Sequence, residues 1–220
     1  MKNLMTSFII SLLLILSLKD VSMPEETISL PEVLPGKGLS VEEAISRRVS
    51  IRSFKPSALT TEEISRLLWS SYGYKSDSIT SASRTIPSAG ALYPMEILLF
   101  SSSGVFQYLP EKHSLKTLDK KDNRKILQKA AYGQSPLIEA PVTIAIACVY
   151  ERITRKYGER GIQYAYYEAG HIAQNILLEA TFLGLGGVPI GAFDGRVIQQ
   201  SLSLTAKWDI LYLLPIGRPR

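Results

Sequence analysis

The stretch VTIAIACV, residues 142–149, is a nearly continuous apolar run that is rich in β-branched side chains. A strand with one face in water alternates polar and apolar residues, whereas a run without alternation is typical of a strand covered on both faces. We therefore expect residues 142–149 to form a central strand of a sheet that has helices on each side. Cys148 is expected to be part of this core.

Helices and strands are predicted on both sides of this strand. Two capping boxes, SVEE at 40–43 and TTEE at 60–63, predict helix starts, because the Ser or Thr hydroxyl and the Glu carboxylate satisfy free helical N–H groups. The other predicted elements are strands at 97–100, 105–109, 113–117, 188–190 and 210–215, and helices over about 121–132, 163–183 and 196–202. This order predicts an α+β fold, a sandwich in which helices flank a mixed central sheet.

Length and composition restrict the class of protein. A chain of 220 residues with 45% hydrophobic and 20% charged residues is typical of one globular domain and unlike disordered or collagen-like chains. One cysteine excludes an intramolecular disulfide, and one cysteine with two histidines makes a zinc-type site difficult to assemble, so we expect no metal. We expect His171, inside the predicted long helix, to be a hydrogen-bonded packing residue. The net charge of +5 favours an anionic partner, for which a cofactor phosphate suffices.

The N-terminal region differs from the rest of the chain. Residues 4–18 form one apolar run after Lys2, which predicts that residues 1–23 are a signal sequence or an N-terminal anchor. The protein is then exported or attached to a membrane through residues 4–18. If translation instead starts at Met23, the protein is cytoplasmic. Residues 24–39 carry three prolines and two glycines and are predicted to be a linker or extended arm, followed by one domain over 40–220.

Two arginine-rich segments are candidates for binding an anion. In an extended segment, alternate side chains lie on one face, so Arg48, Ser50 and Arg52 could together hold a phosphate or a polarised ring edge. Arg218 and Arg220 repeat this spacing directly after a predicted strand. Either segment could instead be solvated surface.

Two loops of small residues are candidates for contact with a planar ligand. They are PSAGALYP at 87–94 and GLGGVPIGAF at 184–193. Small side chains allow backbone groups to approach a ligand closely, although an ordinary turn has the same composition. Neither loop is a G-x-G-x-x-G sequence between a strand and a helix, so a dinucleotide-binding Rossmann site is disfavoured.

Taken in order, these segments resemble the FMN-dependent nitroreductase superfamily, and the resemblance extends over residues 40–220. It is carried by the 48–52 segment, PSAGALYP, KYGERG at 156–161, EAGH at 168–171, GLGGVPIGAF and LPIGR at 214–218. PSAGALYP and KYGERG resemble more narrowly the SagB-type branch, which includes dehydrogenases that oxidise azolines in modified peptides.

The resemblance implies a nitroreductase-like sandwich that forms an intertwined homodimer with FMN at the subunit interface. Many relatives carry an acidic residue where this chain has Gly191. A Lys-Tyr pair similar to Lys156-Tyr157 is implicated in substrate deprotonation in the azoline-oxidising relatives, although the pair could also occupy a surface loop here. The residues that would bind FMN by this resemblance are Arg48, Ser50, Arg52, Ser88, Gly90, Ala91, Pro189, Ile190, Gly191, Ala192, Arg218 and Arg220.

Three functions are compatible with this resemblance. The first is an FMN-dependent oxidoreductase that transfers hydride through flavin N5 in a ping-pong cycle, with a small-molecule donor and a quinone or nitroaromatic acceptor. The second is a SagB-type dehydrogenase of a peptide-derived heterocycle, with oxygen as acceptor. The third is a non-enzymatic flavin-binding protein. A nucleic-acid partner is not expected, because the basic residues are not interleaved with aromatic ones.

Overall fold

A computed structural model describes residues 26–34, 36–75, 83–202 and 207–220 of the protein. The predicted signal sequence or anchor over residues 1–23 lies outside the described residues. Within the described ranges, no helix is both long enough and apolar enough to cross a membrane.

A seven-stranded sheet forms the centre of the fold. The strands are β1 (Thr27–Ser29), β2 (Met95–Ser101), β3 (Gly104–Leu109), β4 (Ser114–Asp119), β5 (Val142–Cys148), β6 (Gly186–Gly187) and β7 (Asp209–Gly217). Their order in the sheet is β1-β4-β3-β2-β5-β7-β6, and neighbouring strands pair antiparallel. We expected a mixed sheet; among the described residues the parallel component is one isolated bridge between Ser50 and Gly187. The predicted arm contributes β1, so the sheet begins before residue 40.

Seven helices pack around this sheet in the described part of the chain. They are α1 (Val41–Arg47), α2 (Thr61–Tyr72), α3 (Arg124–Ala130), α4 (Pro136–Glu139), α5 (Tyr150–Tyr157), α6 (Arg160–Phe182) and α7 (Gly195–Ser201). Both predicted capping boxes are present, with Ser40 at the start of α1 and Thr60 at the start of α2. The Ser40 hydroxyl accepts the Glu43 N–H at 3.2 Å, and the Glu43 carboxylate accepts the Ser40 N–H at 2.8 Å.

The predicted central strand is buried on both faces. Ile144 and Ile146 of β5 pack into the apolar cluster that includes residues of α2 and α6. Ala145 and Ala147 point the other way, into the cluster that includes residues of α3 and α7. Cys148 is fully buried in the first cluster, as expected. Complete burial of each isoleucine contributes about 1.5–3 kcal/mol to stability, so β5 anchors the two layers.

The sheet departs from the predicted strands mainly near its β6 edge. We predicted a strand over 188–190, but the ladder pairing with β7 occurs at Gly186 and Gly187. Pro189 has no N–H to give to a ladder, and Ile190 makes only an isolated bridge with Leu213. A Cβ at Gly186 would lie 2.4 Å from Ile51 Cγ1, so the absence of a side chain permits the close approach of the 48–52 segment.

Candidate active site

The loop of residues 88–94 has an unusual backbone. Gly90, Ala91 and Tyr93 have φ values of +61°, +53° and +47°, a region that costs residues with a Cβ about 1–2 kcal/mol. The Ser88 carbonyl accepts the Ala91 N–H at 3.1 Å, and the Ser88 hydroxyl accepts the Tyr93 N–H at 3.0 Å. The loop is thus closed by its own hydrogen bonds, in a conformation that is found more often at functional sites than elsewhere.

Gly90 lies directly against the predicted Lys156-Tyr157 pair. A Cβ on Gly90 would lie 2.7 Å from the Tyr157 hydroxyl and 2.9 Å from Lys156 Nζ. The pair occupies the last turn of α5 rather than a surface loop. The Tyr157 ring is further held by an edge-on contact with Tyr164, at 5.1 Å between ring centres. Gly90 and the Lys156-Tyr157 pair, which lie far apart in the sequence, are therefore brought together.

Glu168 lies inside the protein next to this loop. Its side chain belongs to α6, and the residue is 2% exposed. The Tyr72 hydroxyl donates to Glu168 Oε1 at 2.9 Å and accepts the N–H of Met95 at 3.2 Å. Burial raises the pKa of the Glu168 carboxyl from 4.5 to about 7, and the hydroxyls of Ser88 and Tyr72 act in the opposite direction.

Neither Glu168 nor Tyr72 is among the residues for which the sequence predicts a function. A signal was available, because Glu168 falls on the helical face of α6 that also carries the buried Ala165, Ala169 and Ile172. An acidic side chain on an apolar face needs a partner in the core. The expectation for the neighbouring His171 was wrong, because that residue is exposed. We refer to residues 88–94 with Tyr72, Lys156, Tyr157 and Glu168 as the loop cluster.

The predicted 48–52 segment lies at the edge of the sheet. Ser50 forms a parallel bridge with Gly187, and the Ile51 N–H donates to the Gly187 carbonyl at 3.0 Å. This pairing shows that the segment is extended and places it beside the second small-residue loop. In the part of the chain that the structure describes, the guanidinium groups of Arg48 and Arg52 have no hydrogen-bond or ion-pair partner.

The C-terminal arginines join the same edge. Phe54 forms a bridge with Pro219, and the Arg220 N–H donates to the Ser53 carbonyl at 3.2 Å. The Arg220 side chain donates to the Phe54 carbonyl at 3.2 Å. Arg218 forms an ion pair with Glu63 at 2.8 Å, so it already has a protein partner. We refer to residues 48–52, 186–192 and 218–220 as the arginine edge.

The turn over residues 189–192 presents backbone to the solvent. Pro189 is half-buried and Ile190 is buried, whereas Gly191 and Ala192 are exposed. The Ala192 carbonyl accepts a hydrogen bond from Gln134 Nε2 at 3.1 Å. The N–H groups of Gly191 and Ala192 have no partner within residues 26–34, 36–75, 83–202 and 207–220. The turn can therefore donate backbone hydrogen bonds to a ligand.

The structure describes the loop cluster and the arginine edge as two separate groups. Among the described residues, no hydrogen bond or ion pair joins them, although each contains predicted flavin-binding residues. The described part of the chain also holds no group of three or more His, Cys, Asp or Glu side chains that could bind a metal ion.

Comparison with known proteins connects this geometry to one family. The sequence pattern described as the nitroreductase family matches residues 45–218. Over 197 residues the chain is 38% identical to a protein of Methanocaldococcus jannaschii that carries the name nitroreductase, covering 87% of this chain and 96% of that protein. It is 28% identical over 135 residues to the microcin B17-processing protein McbC of Escherichia coli, covering 56% of this chain and 50% of McbC.

Solved structures show the same fold. A nitroreductase structure from Ralstonia eutropha superposes with a TM-score of 0.79 at 24% identity, over 91% of this chain and 92% of the other. The NADPH:FMN oxidoreductase of Vibrio harveyi superposes with a TM-score of 0.60 at 20% identity, over 81% of this chain and 68% of the other. The predicted α+β fold of the nitroreductase type is confirmed.

Proposed function

The chain belongs to the nitroreductase family of oxidoreductases, and on this premise we propose that it uses FMN to transfer hydride from a small-molecule donor to an acceptor such as a quinone or nitroaromatic. When bound, FMN accepts a hydride at flavin N5 and passes it on, so that donor and acceptor react in turn. The observation that carries this proposal is that Arg48 and Arg52, which have no partner among the described residues, lie in a segment that pairs with the 186–192 loop.

The arginine edge fits the anionic part of FMN. Arg48 and Arg52 lack protein partners among the described residues, and a guanidinium can hold a phosphate through two parallel hydrogen bonds. Ser50 lies between them and is exposed. Arg220 adds a further positive charge at this edge, whereas Arg218 would have to share its guanidinium between the ligand and Glu63.

The small-residue loops fit the planar part of FMN. Gly90 and Ala91 are exposed and carry little or no side chain, so a ring can lie against their backbone. The exposed N–H groups of Gly191 and Ala192 would donate to the ring from the covering turn. Ser88, Pro189 and Ile190 would support these two surfaces.

Lys156 and Tyr157 are suited to proton transfer beside this ring. Their polar ends lie on either side of the position that a Cβ on Gly90 would occupy, 2.7 Å and 2.9 Å from it, so both can contact one substrate atom near that loop. Lys156 is exposed and Tyr157 is half-buried, which leaves the amine accessible to a substrate. We assign Lys156 as the base that removes a substrate proton and Tyr157 as the group that orients it.

This geometry favours a second candidate function, a SagB-type dehydrogenase of an azoline or related peptide-derived heterocycle with oxygen as acceptor. Such a reaction removes a hydride and a proton from the substrate, so it needs a base beside the atom that loses the proton. The Lys-Tyr pair supplies one. The similarity to McbC, a peptide-processing protein, fits the SagB-type branch.

We also propose that the protein acts as a homodimer in which a second copy completes the site. Val41 and Ile45 are exposed one turn apart on α1, and Val49 is exposed shortly after the helix ends. Ile162, Tyr166 and Tyr167 form an exposed apolar surface on α6. A second copy could cover these surfaces and bring its arginine edge towards the loop cluster. Residues 1–23 would direct this dimer to the membrane or out of the cell.

Anaerobic flavin bleaching tests the proposed function. The purified protein is loaded with FMN and mixed with NADH, NADPH or an azoline-containing peptide, while the flavin absorbance is followed. Bleaching by a nicotinamide and reoxidation by a quinone supports the first function, and bleaching by the azoline alone supports the second. Bleaching by no donor would indicate a flavin-binding protein without turnover, and a protein that takes up no FMN would overturn the proposal.

A pair of variants tests the base. Lys156→Ala should keep its flavin but lose azoline oxidation, because the proton on the substrate then has no acceptor at that position. Arg155→Ala, the adjacent exposed cation of α5, should retain both. Full azoline turnover by Lys156→Ala would remove Lys156 from the assigned role.

A further inference from the structure

A cavity of about 370 Å³ borders the 88–94 loop and has no role in the function proposed above. Its walls come from α2, the loop, β2, β3 and α5, and its volume falls in the range of small-molecule sites, roughly 300–1,000 Å³. The polar side chains that line it belong to Arg84, Tyr93, Glu96, Gln107, Glu111 and Arg152. We refer to this space as the Arg84 cavity.

Arg84 is held firmly in the wall of this cavity. The residue is 9% exposed, and its guanidinium carbon lies 5.3, 5.4 and 5.7 Å from the ring centres of Tyr93, Tyr72 and Tyr74. Its Nη1 donates to the Ser83 carbonyl at 3.2 Å. The rings and the carbonyl fix the guanidinium but supply no full negative charge. A buried guanidinium is unfavourable without an anion, so Arg84 needs one.

The anion that Arg84 has in this structure comes from the surface. Glu111 Oε1 accepts a hydrogen bond from Arg84 Nη2, but the Glu111 side chain is 63% exposed, against 10% for Arg84. The neighbouring Nε of Arg84 is buried and has no acceptor among the described residues. A carboxylate binds a guanidinium best through two parallel hydrogen bonds. Glu111 therefore satisfies half of this fork and occupies the position that a ligand carboxylate would take.

Arg152 brings a second guanidinium to the Arg84 cavity. Its Nη2 donates to Glu96 Oε1 at 2.5 Å, and Glu96 Oε2 accepts Gln107 Nε2 at 2.8 Å. Both oxygens of Glu96 are thus engaged, whereas Nε and Nη1 of Arg152 have no partner in the part of the chain that the structure describes. The Arg152 side chain is 45% exposed, so a ligand can reach these donors. A ligand in the cavity therefore meets unsatisfied donors of two arginines, which a carboxylate fits.

The Arg84 cavity lies beside the proposed reaction site. Arg152 precedes Lys156 by four residues on α5, so the two side chains lie on one face of the helix, about 5.4 Å apart along its axis. Tyr93 lines the cavity, and Gly90 of the same loop lies against Lys156. A substrate that reacts next to Lys156 can therefore place a substituent in the cavity.

We propose that the Arg84 cavity binds the carboxylate of a small carboxylic acid that is the substrate, held by Arg84 and Arg152 after Glu111 turns out into the solvent. The inference rests on the proposed function, because it names the class of substrate that the site beside Lys156 takes. The carboxylate of such a substrate lies about one helical turn from the reacting atom. Glu111 competes with it for Arg84, so a compound without an acid group leaves the Arg84–Glu111 pair intact.

Two compounds of nearly equal shape test this site. 4-Nitrobenzoate and 4-nitrobenzamide share the ring and the nitro group and differ in charge at the opposite end. The FMN-loaded protein is assayed with each compound and with NADH or NADPH as donor, and the ratio of the two kcat/KM values gives the selectivity for the carboxylate. The wild type should prefer 4-nitrobenzoate. Arg152→Gln should lose about tenfold of this selectivity, because a charge-assisted hydrogen bond is lost. Arg155→Gln, at the neighbouring exposed cation of α5, should keep it.

Glu111→Gln should change the selectivity in the opposite direction. A neutral amide competes for Arg84 less strongly than a carboxylate does, so the preference for 4-nitrobenzoate should rise several-fold. Glu151→Gln removes the same charge from an exposed acid of α5 that is paired with Lys207 at 3.6 Å, and should leave the preference unchanged. Glu111 is exposed, so its variant carries the test if Arg152→Gln does not fold. Equal use of both compounds by the wild type, equal losses in Arg152→Gln and Arg155→Gln, or an unchanged preference in Glu111→Gln would overturn the inference.

Ligand-observed NMR of the FMN-free protein separates this inference from the proposed function. Saturation transfer from the protein to 4-nitrobenzoate should exceed that to 4-nitrobenzamide, and Arg152→Gln should remove the difference. If neither compound is turned over but NMR shows this pattern, nitroaromatic reduction fails as the function and the carboxylate site stands. If both compounds are turned over without selectivity and NMR shows no difference, the inference alone fails.

Discussion

The loop cluster places the polar groups of Glu168 and Tyr72 against other protein groups, whereas at the arginine edge Arg48 and Arg52 have no partner among the residues that the structure describes. Glu168 and Tyr72 are buried and hydrogen-bonded to each other. Arg48 and Arg52 are half-buried and exposed, respectively. Effects at the loop cluster should therefore depend on pH and packing, while effects at the arginine edge should depend on salt and leave stability nearly unchanged. Under the proposed function, the loop cluster orients the reacting groups and the arginine edge holds the cofactor.

The largest effect is expected at the arginine edge. The double variant R48A/R52A should bind FMN about 100-fold more weakly or worse, because two charge-assisted hydrogen bonds contribute about 1.5–3 kcal/mol each. Its unfolding temperature without FMN should match the wild type. Titration of the apoprotein with FMN at low and high salt measures both the loss and its salt dependence. Arg47→Ala is the control, because Arg47 is exposed and paired with Glu43. Equal losses in both variants would show that the edge acts only through its net charge.

At the loop cluster, adding a single methyl group should reduce activity at one glycine but not at another, although both changes reduce stability equally. Gly90→Ala and Gly133→Ala both place a side chain at positive φ, so each should lose about 1–2 kcal/mol of stability. Only at Gly90 does the new Cβ meet Lys156 and Tyr157, whereas Gly133 has open space. Turnover should fall about tenfold or more in Gly90→Ala alone, as measured by steady-state kinetics of the flavin-loaded proteins. Unchanged turnover in Gly90→Ala would mean that the pair is not used in that position.

The Tyr72 hydroxyl tests the buried side of the loop cluster. Tyr72→Phe leaves the Met95 N–H and Glu168 Oε1 without partners, which should cost about 2 kcal/mol of unfolding free energy. The loss should be larger at pH 8 than at pH 6, because a hydrogen bond to an ionised carboxylate is stronger than one to a neutral carboxyl. Chemical denaturation at both pH values measures this. Tyr132→Phe, at a residue that is 76% exposed, should lose no stability at either pH.

The smallest effect is expected at Arg218. Its ion pair with Glu63 is partly exposed, so Arg218→Ala should lose only about 1 kcal/mol of stability. FMN affinity should change by less than about threefold, because the guanidinium is already engaged. Titration of the apoprotein of this variant with FMN measures the affinity. A loss as large as that of Arg48→Ala would show that Arg218 leaves Glu63 to bind the phosphate, as the resemblance of the sequence suggested.

Local sequence patterns predicted much of the fold. The capping boxes at Ser40 and Thr60 contain their own hydrogen-bonding partners, so sequence alone determines where those helices begin. The buried strand β5 was predictable because its composition needs cover on both faces. The two-residue strand β6 was not, because its pairing depends on how closely Ile51 and β7 approach a glycine backbone.

The candidate site was only partly predictable, because its contacts also depend on how distant segments pack together. Residue types predict which segments would contact a flavin, but the proximity of Gly90 to Lys156 and Tyr157 depends on the positions of α5 and the loop. α5 itself was missed, which left the pair in an expected loop. The burial of Glu168 depends on packing between α2, α6 and β5, and no short-range pattern specifies that arrangement.

Strand β1 has a practical consequence for producing this protein. Thr27–Ser29 cover the outer edge of β4, and the neighbouring Pro31 carbonyl contacts the His113 ring at 2.9 Å. A shortened chain that starts at residue 40 would keep every predicted site residue but leave the backbone of β4 unpaired. Exposed strand edges pair with other molecules, so such a chain should aggregate or exchange strands at high concentration. The arm that looked like a spacer thus protects the domain against self-association.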